Sequence, residues 1–507
     1  MNSAALMICG FVVVSWMPLS SSVPSNRLAE AKRLDERGKT YMALGQLGKA
    51  EQFYRNAFTL RAKIQGLEHS ETLNSLQGLV WVLQSKGDYP GAEPLARQAV
   101  ALAEHKDGIN EASLLRALDA LGNVVAERGK VAEAETYLRK ALELSGHVHG
   151  AVSTEHAISL GNFGLFLART DRYAEAELFL RKALRVDEQL LDERSAGLGI
   201  ALNNLGWLLT RRGRLDEAEP LLRRAVASQE RVLGPAHIET SKTLNNLASL
   251  LAGKGSGAEA EALYRRVLVI RERAYGPSSP NTALALNNLG LQLWRVGKPN
   301  EAEPILRRAI AIREATLGAD HEYTASSLSN LGLVLQELDR REEAATSYRA
   351  ALESYENAGM GKSLGMSTTL SNLGTLYGQT GRLPEAEAIL HRALAIQESL
   401  LGADHADIAI TLGNLGSVLD HCGRYAESEG LIRRALGIFE KSKESHRPSI
   451  ENYLLSLGDI LANQGKRDEA AKVYADVIDM RSNRLGKDHP RTLAARETLE
   501  KLNTSTH

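Results

Sequence analysis

Residues 200–226 read IALNNLGWLLTRRGRLDEAEPLLRRAV, and this stretch decides the fold because its pattern returns every 42 residues. Leu202, Leu205 and Leu209 fall at i, i+3 and i+7, the spacing that gives an α-helix one apolar face. Gly213 follows that helix, and an acidic start opens a second apolar-periodic segment. The stretch therefore predicts two helices joined by a short turn.

The same pattern occurs eleven times along the chain without an insertion or deletion. The position of Leu202 is leucine in every copy, and the position of Ala218 is alanine in ten copies and serine in one. A fixed period of roughly 20–50 residues indicates a solenoid, in which each unit buries its apolar face only against its neighbours. The second series comprises Ala50, Ala92, Ala134, Ala176, Ala218, Ala260, Ala302, Ala344, Ala386, Ser428 and Ala470.

Small residues predict how the two helices meet. The position of Gly213 holds glycine in nine copies and Asp171 or Asp339 in the other two, which suits a left-handed residue at a helix end. Gly206 and Ala225 also recur, and we expect them to let the two helix axes approach closely.

The second helix carries two further signals. A proline position shared by three copies is expected in its first turn, where a missing N–H costs least. Glu219 precedes Arg223 by four residues, as in seven other copies, and such pairs are expected to help each second helix form without holding the stack together. They also explain the Arg-Arg runs as a solvated face rather than a nucleic-acid site. The prolines are Pro94, Pro220 and Pro304.

These residues resemble the tetratricopeptide repeat: Leu-x-Asn-Leu-Gly at 202–206, then Gly213, Ala218 and Ala225. The longer 42-residue period, with segments such as Leu233-Gly234-Pro235-Ala236-His237, is similar to the kinesin-light-chain subtype. The resemblance implies an all-α fold, an α-solenoid built as a right-handed superhelix of about eleven helix hairpins. It also implies eleven repeats over 27–488, a capping helix over 489–502 and a tail over 503–507, but gives no support for a motor partner.

Composition and the N-terminus bound the function. The formal net charge is −1, from 61 Lys+Arg and 62 Asp+Glu, so no bulk field attracts nucleic acid. An apolar run over 4–17 predicts a signal peptide at 1–25 and export to the periplasm or outside the cell; the alternative is a retained N-terminal membrane anchor. We expect no transmembrane segment in the mature chain. Without the leader Cys422 is alone, so no intramolecular disulfide is expected.

Signals for enzymatic chemistry are weak. Gly359-Met360-Gly361-Lys362-Ser363 has glutamate where a phosphate-binding loop needs its first glycine, and it follows a helix rather than a strand. Five histidines share one helix-start position with four serines, which favours local hydrogen bonds over a metal site. We therefore expect no enzyme activity, cofactor or metal. The histidines are His69, His237, His321, His405 and His489, and the serines are Ser153, Ser195, Ser279 and Ser363.

In tetratricopeptide arrays the first helices line a concave groove. Carried over from the family pattern, the groove positions lie four and one before Asn204, at Asn204, and three, six and seven after it. They collect amides, indoles and cations, which favour an extended acidic peptide with a large apolar anchor. The predicted peptide-binding residues are Asn203, Asn204, Trp207, Arg211, Lys242, Asn245, Asn246, Asn287, Asn288, Trp294 and Arg295.

Two alternatives stay open at this point. The asparagines could fix the repeat stack instead of binding a ligand, and both roles are compatible. The tryptophans could seal gaps between repeats. The predicted function is a non-enzymatic protein–protein interaction scaffold that binds a peptide segment of a partner. The alternative is a structural array that self-associates or organises a complex through its ends and convex face.

Overall fold

The computed structural model describes residues 25–43, 46–104, 111–192, 195–441 and 447–504. The predicted signal peptide, apart from Ser25, lies outside the described residues, as does Gly45 in the turn series. The described residues form 23 helices and no strand. None of these helices is both long enough and apolar enough to cross a bilayer. The predicted all-α solenoid is confirmed.

The chain divides into two compact units, residues 1–192 and 193–507. In each unit the helices pack in sequence order, each against the next one. The first unit contains α1 Ser25–Ala43, α2 Leu47–Gln65, α3 Ser70–Lys86, α4 Tyr89–Glu104, α5 Glu111–Glu127, α6 Val131–His149, α7 Thr154–Arg169 and α8 Tyr173–Leu190.

In the second unit, first helices of neighbouring repeats also contact each other directly, for example α13 with α15 and α17 with α19. Its helices are α9 Ala196–Arg211, α10 Leu215–Val232, α11 Ile238–Gly253, α12 Gly257–Tyr275, α13 Pro280–Arg295, α14 Pro299–Leu317, α15 Glu322–Glu337, α16 Arg341–Asn357, α17 Leu364–Gln379, α18 Leu383–Leu401, α19 Ala406–His421, α20 Tyr425–Lys441, α21 Arg447–Asn463, α22 Arg467–Leu485 and α23 Pro490–Thr504.

The turn between first and second helix is left-handed, as predicted. Gly213 has φ 72°, while Asp171 and Asp339 have φ 60° and 57°. These two aspartates are the only non-glycine residues with positive φ in the described parts of the chain. Glycine pays no steric penalty in this conformation, and aspartate pays less than most residues, so both serve the same turn.

The close approach of the two helices has a different partner from the one expected. A Cβ added to Gly206 would lie 2.7 Å from Leu222 Cγ, so the glycine makes room for a large side chain of the second helix rather than for Ala225. The same relation recurs in the eight other copies that have this glycine, with leucine, isoleucine or tyrosine as the side chain of the second helix. Where the glycine is replaced by Val80, the residue at the Leu222 position is Ala96, and both are buried. In that copy the larger side chain lies on the first helix and the smaller one on the second.

Histidine and serine at the helix start both act as caps. His237 Nδ1 accepts a hydrogen bond from Glu239 N at 3.1 Å, and Ser279 Oγ accepts one from Thr282 N at 3.1 Å. The same bonds form at every other histidine and serine of the series. The predicted local hydrogen-bonding role is confirmed for both residue types.

The proline prediction was wrong in its position. Each helix begins earlier than expected, so Pro220 is the sixth residue of α10 and lies inside the helix, as Pro94 and Pro304 do in theirs. The missing N–H leaves the carbonyl of Asp216 without its helical donor. Asp216 is exposed near the helix start, where water can replace that bond.

The predicted Glu–Arg pairs form, but they do more than stabilise single helices. Arg223 contacts Glu219 at 3.0 Å and also Glu259 of the next repeat at 2.8 Å, and Lys254 contacts Glu219 at 2.8 Å. Equivalent bonds join α12 to α14 through Arg265–Glu301 and Lys298–Glu261. Contrary to the expectation, the charged side chains of these pairs also link adjacent repeats. We call this set the second-helix charge ladder.

Candidate functional site

The first helices of the second unit present a repeating exposed face. In α9, Leu202, Leu205 and Leu209 are buried, whereas Asn204 and the positions four before and three, six and seven after it are half-buried or exposed. These five residues are Ile200, Asn204, Trp207, Thr210 and Arg211. We call this face, with its equivalents in α11, α13, α15, α17, α19 and α21, the first-helix surface.

Asparagine side chains connect successive first helices. Asn246 Nδ2 donates to Asn203 Oδ1 at 2.9 Å, and Asn288 Nδ2 donates to Asn245 Oδ1 at 2.9 Å. Asn330 Nδ2 continues the series by donating to Asn287 Oδ1 at 3.0 Å. Each bond joins one repeat to the next at an offset of 43 residues. We call the series the amide ladder.

Some rungs of the amide ladder, meaning its single bonds between two repeats, gain a further hydrogen bond from a hydroxyl group. Ser327 Oγ donates to Asn287 Oδ1 at 3.0 Å, and Asn287 is only 7% exposed. Arg313 Nη1, also buried, reaches Ser327 Oγ at 2.6 Å. In later repeats the rung consists of hydroxyls alone, as in Thr369 Oγ1 to Ser329 Oγ at 3.0 Å. Buried polar groups are therefore paired with each other across the repeat boundary.

The first unit uses a carboxylate at the same rung. Asp119 Oδ2 accepts from Ser159 Oγ at 2.9 Å, and Asn162 bonds the same carboxyl. Burial nevertheless raises the pKa of Asp119 to about 6, against these two hydrogen bonds that lower it. Its Oδ1 is buried and accepts no hydrogen bond from the described residues. A charge in this position is costly, because one oxygen loses water without gaining a donor.

The ladder separates the predicted asparagines into two groups. Asn203, Asn245 and Asn287 use their oxygens to join repeats, as the stack-fixing interpretation requires. Asn246 and Asn288 are half-buried on the first-helix surface, and the side-chain amide of each donates one hydrogen bond to the ladder. Their oxygens accept no bond from the described residues, so the amides are held with an acceptor available. Ligand binding by these amides stays a prediction.

Both predicted tryptophans lie on the first-helix surface. Trp207 is half-buried, and the Arg211 guanidinium lies 5.8 Å from its ring centroid. Trp294 is half-buried and packs against the hydrophobic core, so it fills space between repeats and also shows an edge to solvent. Trp81, in the first unit, is 53% exposed. The indoles combine the packing and surface roles that the sequence left as alternatives.

The predicted cations are exposed on the same face. Arg211, Lys242 and Arg295 are all exposed. Lys242 Nζ forms an ion pair with Glu239 Oε1 of its own helix at 2.7 Å, which offsets part of its charge. The structure therefore brings the eleven predicted residues onto or directly beneath one face of α9, α11 and α13.

Sequence reasoning missed the aliphatic residues of this face. Ile200 and Leu284 are 42% and 39% exposed, and Leu291 is half-buried beside them. Ile410 repeats the feature in α19, at 47% exposure. All lie at positions already assigned to the groove, so the sequence contained the signal. It was overlooked because leucine and isoleucine also fill the core positions of every repeat.

The stretch that resembles a phosphate-binding loop has a structural role in the described chain. Ser363, the last residue of the phosphate-loop-like stretch, caps α17 by accepting from Met366 N at 3.2 Å. Gly359 takes φ 72° in the turn before it, so the stretch is a connection between repeats. No group of three or more His, Cys, Asp or Glu that could hold a metal ion occurs within the described ranges. The chemistry available on the first-helix surface is hydrogen bonding, apolar contact and charge pairing.

Comparison with known proteins places the chain in a family. No curated protein sequence matches it. The Rap protein complexed with Competence and Sporulation Factor is 15% identical, aligns 74% of this chain with 99% of its own and gives a TM-score of 0.52. The quorum sensor NprR from B. thuringiensis, in its apo form, is 14% identical over 73% and 98%, with a TM-score of 0.50. Both likenesses show the helical repeat fold.

A chain from P. anserina with nearly identical TPR-like repeats, assigned to the kinesin light chains, is 20% identical over 42% of this chain and 99% of its own, with a TM-score of 0.35. One tetratricopeptide repeat model matches residues 28–105, 112–189, 155–231, 197–268, 239–315, 284–357 and 365–441, and a second matches 452–491. These matches cover most of the sequence. The chain belongs to the tetratricopeptide repeat family.

Proposed function

We propose that this chain is a non-enzymatic scaffold that binds an extended segment of a partner protein on the first-helix surface of its second unit. Family membership supports a protein-interaction scaffold in general terms. The peptide ligand, its acidic character and its apolar anchor are our finer proposal. A chain of similar fold, the Rap protein, is complexed with Competence and Sporulation Factor, so the fold is compatible with a bound partner.

One observation carries the proposal: apolar groups and oriented amides share a single face. Ile200 and Leu284 are exposed there, and Trp207 is half-buried on the same face. Large apolar residues grouped on a surface favour a binding site, and tryptophan is enriched among the residues that dominate binding energies. Asn246 and Asn288, held by the ladder, offer acceptors for the N–H groups of an extended backbone.

The second-helix charge ladder argues against the alternative of assembly through the convex face. Its arginines and glutamates are already paired with each other, within repeats and between them. A partner on that face would have to compete with these bonds. Arg211 and Arg295 are exposed cations of the first-helix surface, which favours an acidic ligand there.

The test is capture of partner proteins by the full chain and by Trp207→Ala. We expect Trp207→Ala to weaken partner binding by roughly 2 kcal/mol or more, because a buried indole contact is lost. Val269→Ala is the matched control, since Val269 is 46% exposed but lies on the second helix α12. If Val269→Ala abolished binding and Trp207→Ala did not, the self-associating or complex-organising array would replace this proposal.

We also propose export of the chain, on the sequence evidence of residues 1–25 alone. A reporter fused after Ser25 is expected to leave the cytoplasm. Retention of the reporter in the cytoplasm would contradict export. A reporter that is exported but stays in the membrane fraction would indicate the retained anchor instead.

A further inference from the structure

We infer that the first-helix surface of the second unit is electrically polarised, and that it takes a segment with an acidic part against α9–α13 and a lysine or arginine against α19–α21. The inference rests on the proposed function and adds an orientation to it. It commits to a partner protein segment of mixed charge, rather than to the acidic peptide with a large apolar anchor expected from the sequence.

The cations of the surface occur on three neighbouring helices only. Arg211, Lys242 and Arg295 belong to α9, α11 and α13, and no acidic residue occupies an equivalent position of those helices. From α15 onward the sign changes. Glu337, Asp420 and Asp459 then occupy the charged positions, with no lysine or arginine among them, and His421 is the one titratable base.

Asp420 of α19 and Asp459 of α21 have no ion pair with a lysine or arginine of the described chain. Tyr474 Oη donates to Asp459 Oδ1 at 2.5 Å, and Asp459 is exposed. Asp420 Oδ1 is buried without a hydrogen-bond donor among the described residues. No described lysine or arginine forms an ion pair with Glu337, Asp420 or Asp459. His421 Nδ1 is engaged by the carbonyl of Ser417 at 2.7 Å.

The acids on the second helices of the same repeats, in contrast, form ion pairs. There Glu429 has both Arg433 and Lys466 within 2.8 Å, and Arg424 bridges Glu387 and Glu427. The second helices therefore pair their acids with cations. On the first-helix surface Asp420 and Asp459 lie close enough to interact electrostatically, and neither forms an ion pair with a described lysine or arginine. Like charges held close together repel each other, and an external cation relieves the repulsion.

The occupant must reach both regions. Neighbouring helix axes lie roughly 8–10 Å apart in packed helices. A 20-residue extended segment spans about 65 Å, so it can contact α9 and α21 together. Apolar side chains between its charged parts would meet Trp207, Leu284 and Trp294.

The test uses random 20-residue peptides displayed on phage and selected on the full chain. We expect the selected peptides to carry Lys or Arg toward one end, and Asp or Glu with a large apolar residue toward the other. Changing that Lys or Arg to Gln in a selected peptide should weaken binding at least tenfold for the unmodified chain. For Asp420→Asn/Asp459→Asn the same peptide change should weaken binding less than twofold.

Asp479→Asn is the matched control, because Asp479 is exposed on α22 in the same repeat as Asp459. It should preserve the tenfold effect. Asp459→Asn alone, whose site is exposed, covers the case in which the double variant fails to fold. A tenfold effect that persists in the aspartate variants would overturn the polarity.

The two proposals fail in distinguishable ways. If Trp207→Ala weakens the selected peptides but the aspartate variants do not alter the charge preference, the surface binds peptides without the inferred orientation. If Trp207→Ala leaves their affinity unchanged, the first-helix surface is not the binding site and both proposals fail. Failure to select any peptide also counts against both.

Discussion

Glycine at position 206 shows how much of the architecture depends on one missing methyl group. A Cβ there would approach Leu222 Cγ to 2.7 Å, well inside contact distance. Leu222 is fully buried, so its side chain cannot move out toward solvent to relieve the contact. The large side chain of the second helix fills the space that the glycine leaves on the first helix.

Gly206→Val is therefore expected to lower the free energy of unfolding by roughly 1–3 kcal/mol, the usual cost of overpacking. Adding Leu222→Ala should recover part of that loss, because Val80 and Ala96 form this exchanged pair naturally in an earlier repeat. Urea unfolding of the two single variants and the double variant gives the coupling. Purely additive losses would contradict the volume-exchange explanation.

Asp119 is expected to make folding stability fall as the pH rises, which is the opposite of the effect of a carboxylate in a salt bridge. Its folded pKa, raised by burial to about 6 from 3.8, means that folding favours the protonated acid. The stability contributed by this group is complete below pH 3.8 and is lost as the pH rises through about 6. The carboxylate is thus a weak point of the first unit at neutral pH.

Asp119→Asn should accordingly raise the free energy of unfolding at pH 7 by roughly 1–3 kcal/mol, and change it little at pH 4. Asparagine already occupies the equivalent rung at Asn203, so the ladder geometry accepts it. Urea unfolding at the two pH values measures the effect, with the exposed Glu143→Gln as the control. A gain that is equal at both pH values would contradict the assignment.

At the scale of helices, the amide ladder determines how one first helix sits on the next. Asn287 accepts from Asn330 and Ser327, and Ser327 in turn is bonded by Arg313. Three elements, α13, α14 and α15, meet in this cluster. The two bonds of Ser327 are buried, and Asn330 is half-buried. Removing Asn287 therefore leaves donors with little or no water to bond instead.

Asn287→Ala is expected to lower the free energy of unfolding by roughly 1–3 kcal/mol, since buried donors lose their acceptor. Thr368→Ala, at an exposed position of α17, should be close to neutral. Chemical denaturation measures both, and hydrogen exchange of α13 and α15 locates the loss. A neutral Asn287→Ala would mean that the ladder contributes nothing to the stack.

The sequence predicted the helices, turns and caps well, and their connections less well. Gly213 and Asp171 identified the turn because the left-handed conformation admits few residue types. The proline was misplaced because helix starts without a strong capping side chain, such as Arg214 before α10, leave no clear signal. Contacts between repeats, such as Arg223 with Glu259, depend on how neighbours pack, which a single repeat does not contain.

The same limit applies to the candidate site. Family spacing placed Trp207 and Arg211 on one face correctly. Family spacing did not predict that Asn203 and Asn204 have different roles, because two adjacent asparagines look alike in the repeat sequence. Only the positions of the neighbouring repeats show that Asn203 is an acceptor within the stack.

At the scale of the molecule, each kind of link between repeats keeps its own sequence offset. The amide ladder uses an offset of 43 residues, and the charge ladder uses 35, 36 or 37. Removing a whole period of 42 residues therefore reconnects each group with an equivalent partner. A removal of another length turns every following apolar face by about 100° per residue of mismatch.

Deletion of residues 243–284 should thus give a folded chain with proportionately less helix and cooperative thermal unfolding. The junction unites the first part of α11 with the last part of α13, and Asn288 then stands at the ladder offset from Asn203. Deletion of residues 243–282 is the control and should unfold at a much lower temperature. Circular dichroism follows both. Equal stability of the two deletions would contradict the register argument.

The constant offset has a consequence for how such a chain can arise. An in-frame duplication of one period of coding sequence yields a protein whose new contacts are already complementary, so it needs no compensating change elsewhere. Copies made in this way are free to diverge at positions that face outward, while those that join neighbours stay constrained. Length is then a quantised trait, gained or lost one repeat at a time, and each step adds another segment of recognition surface to the row.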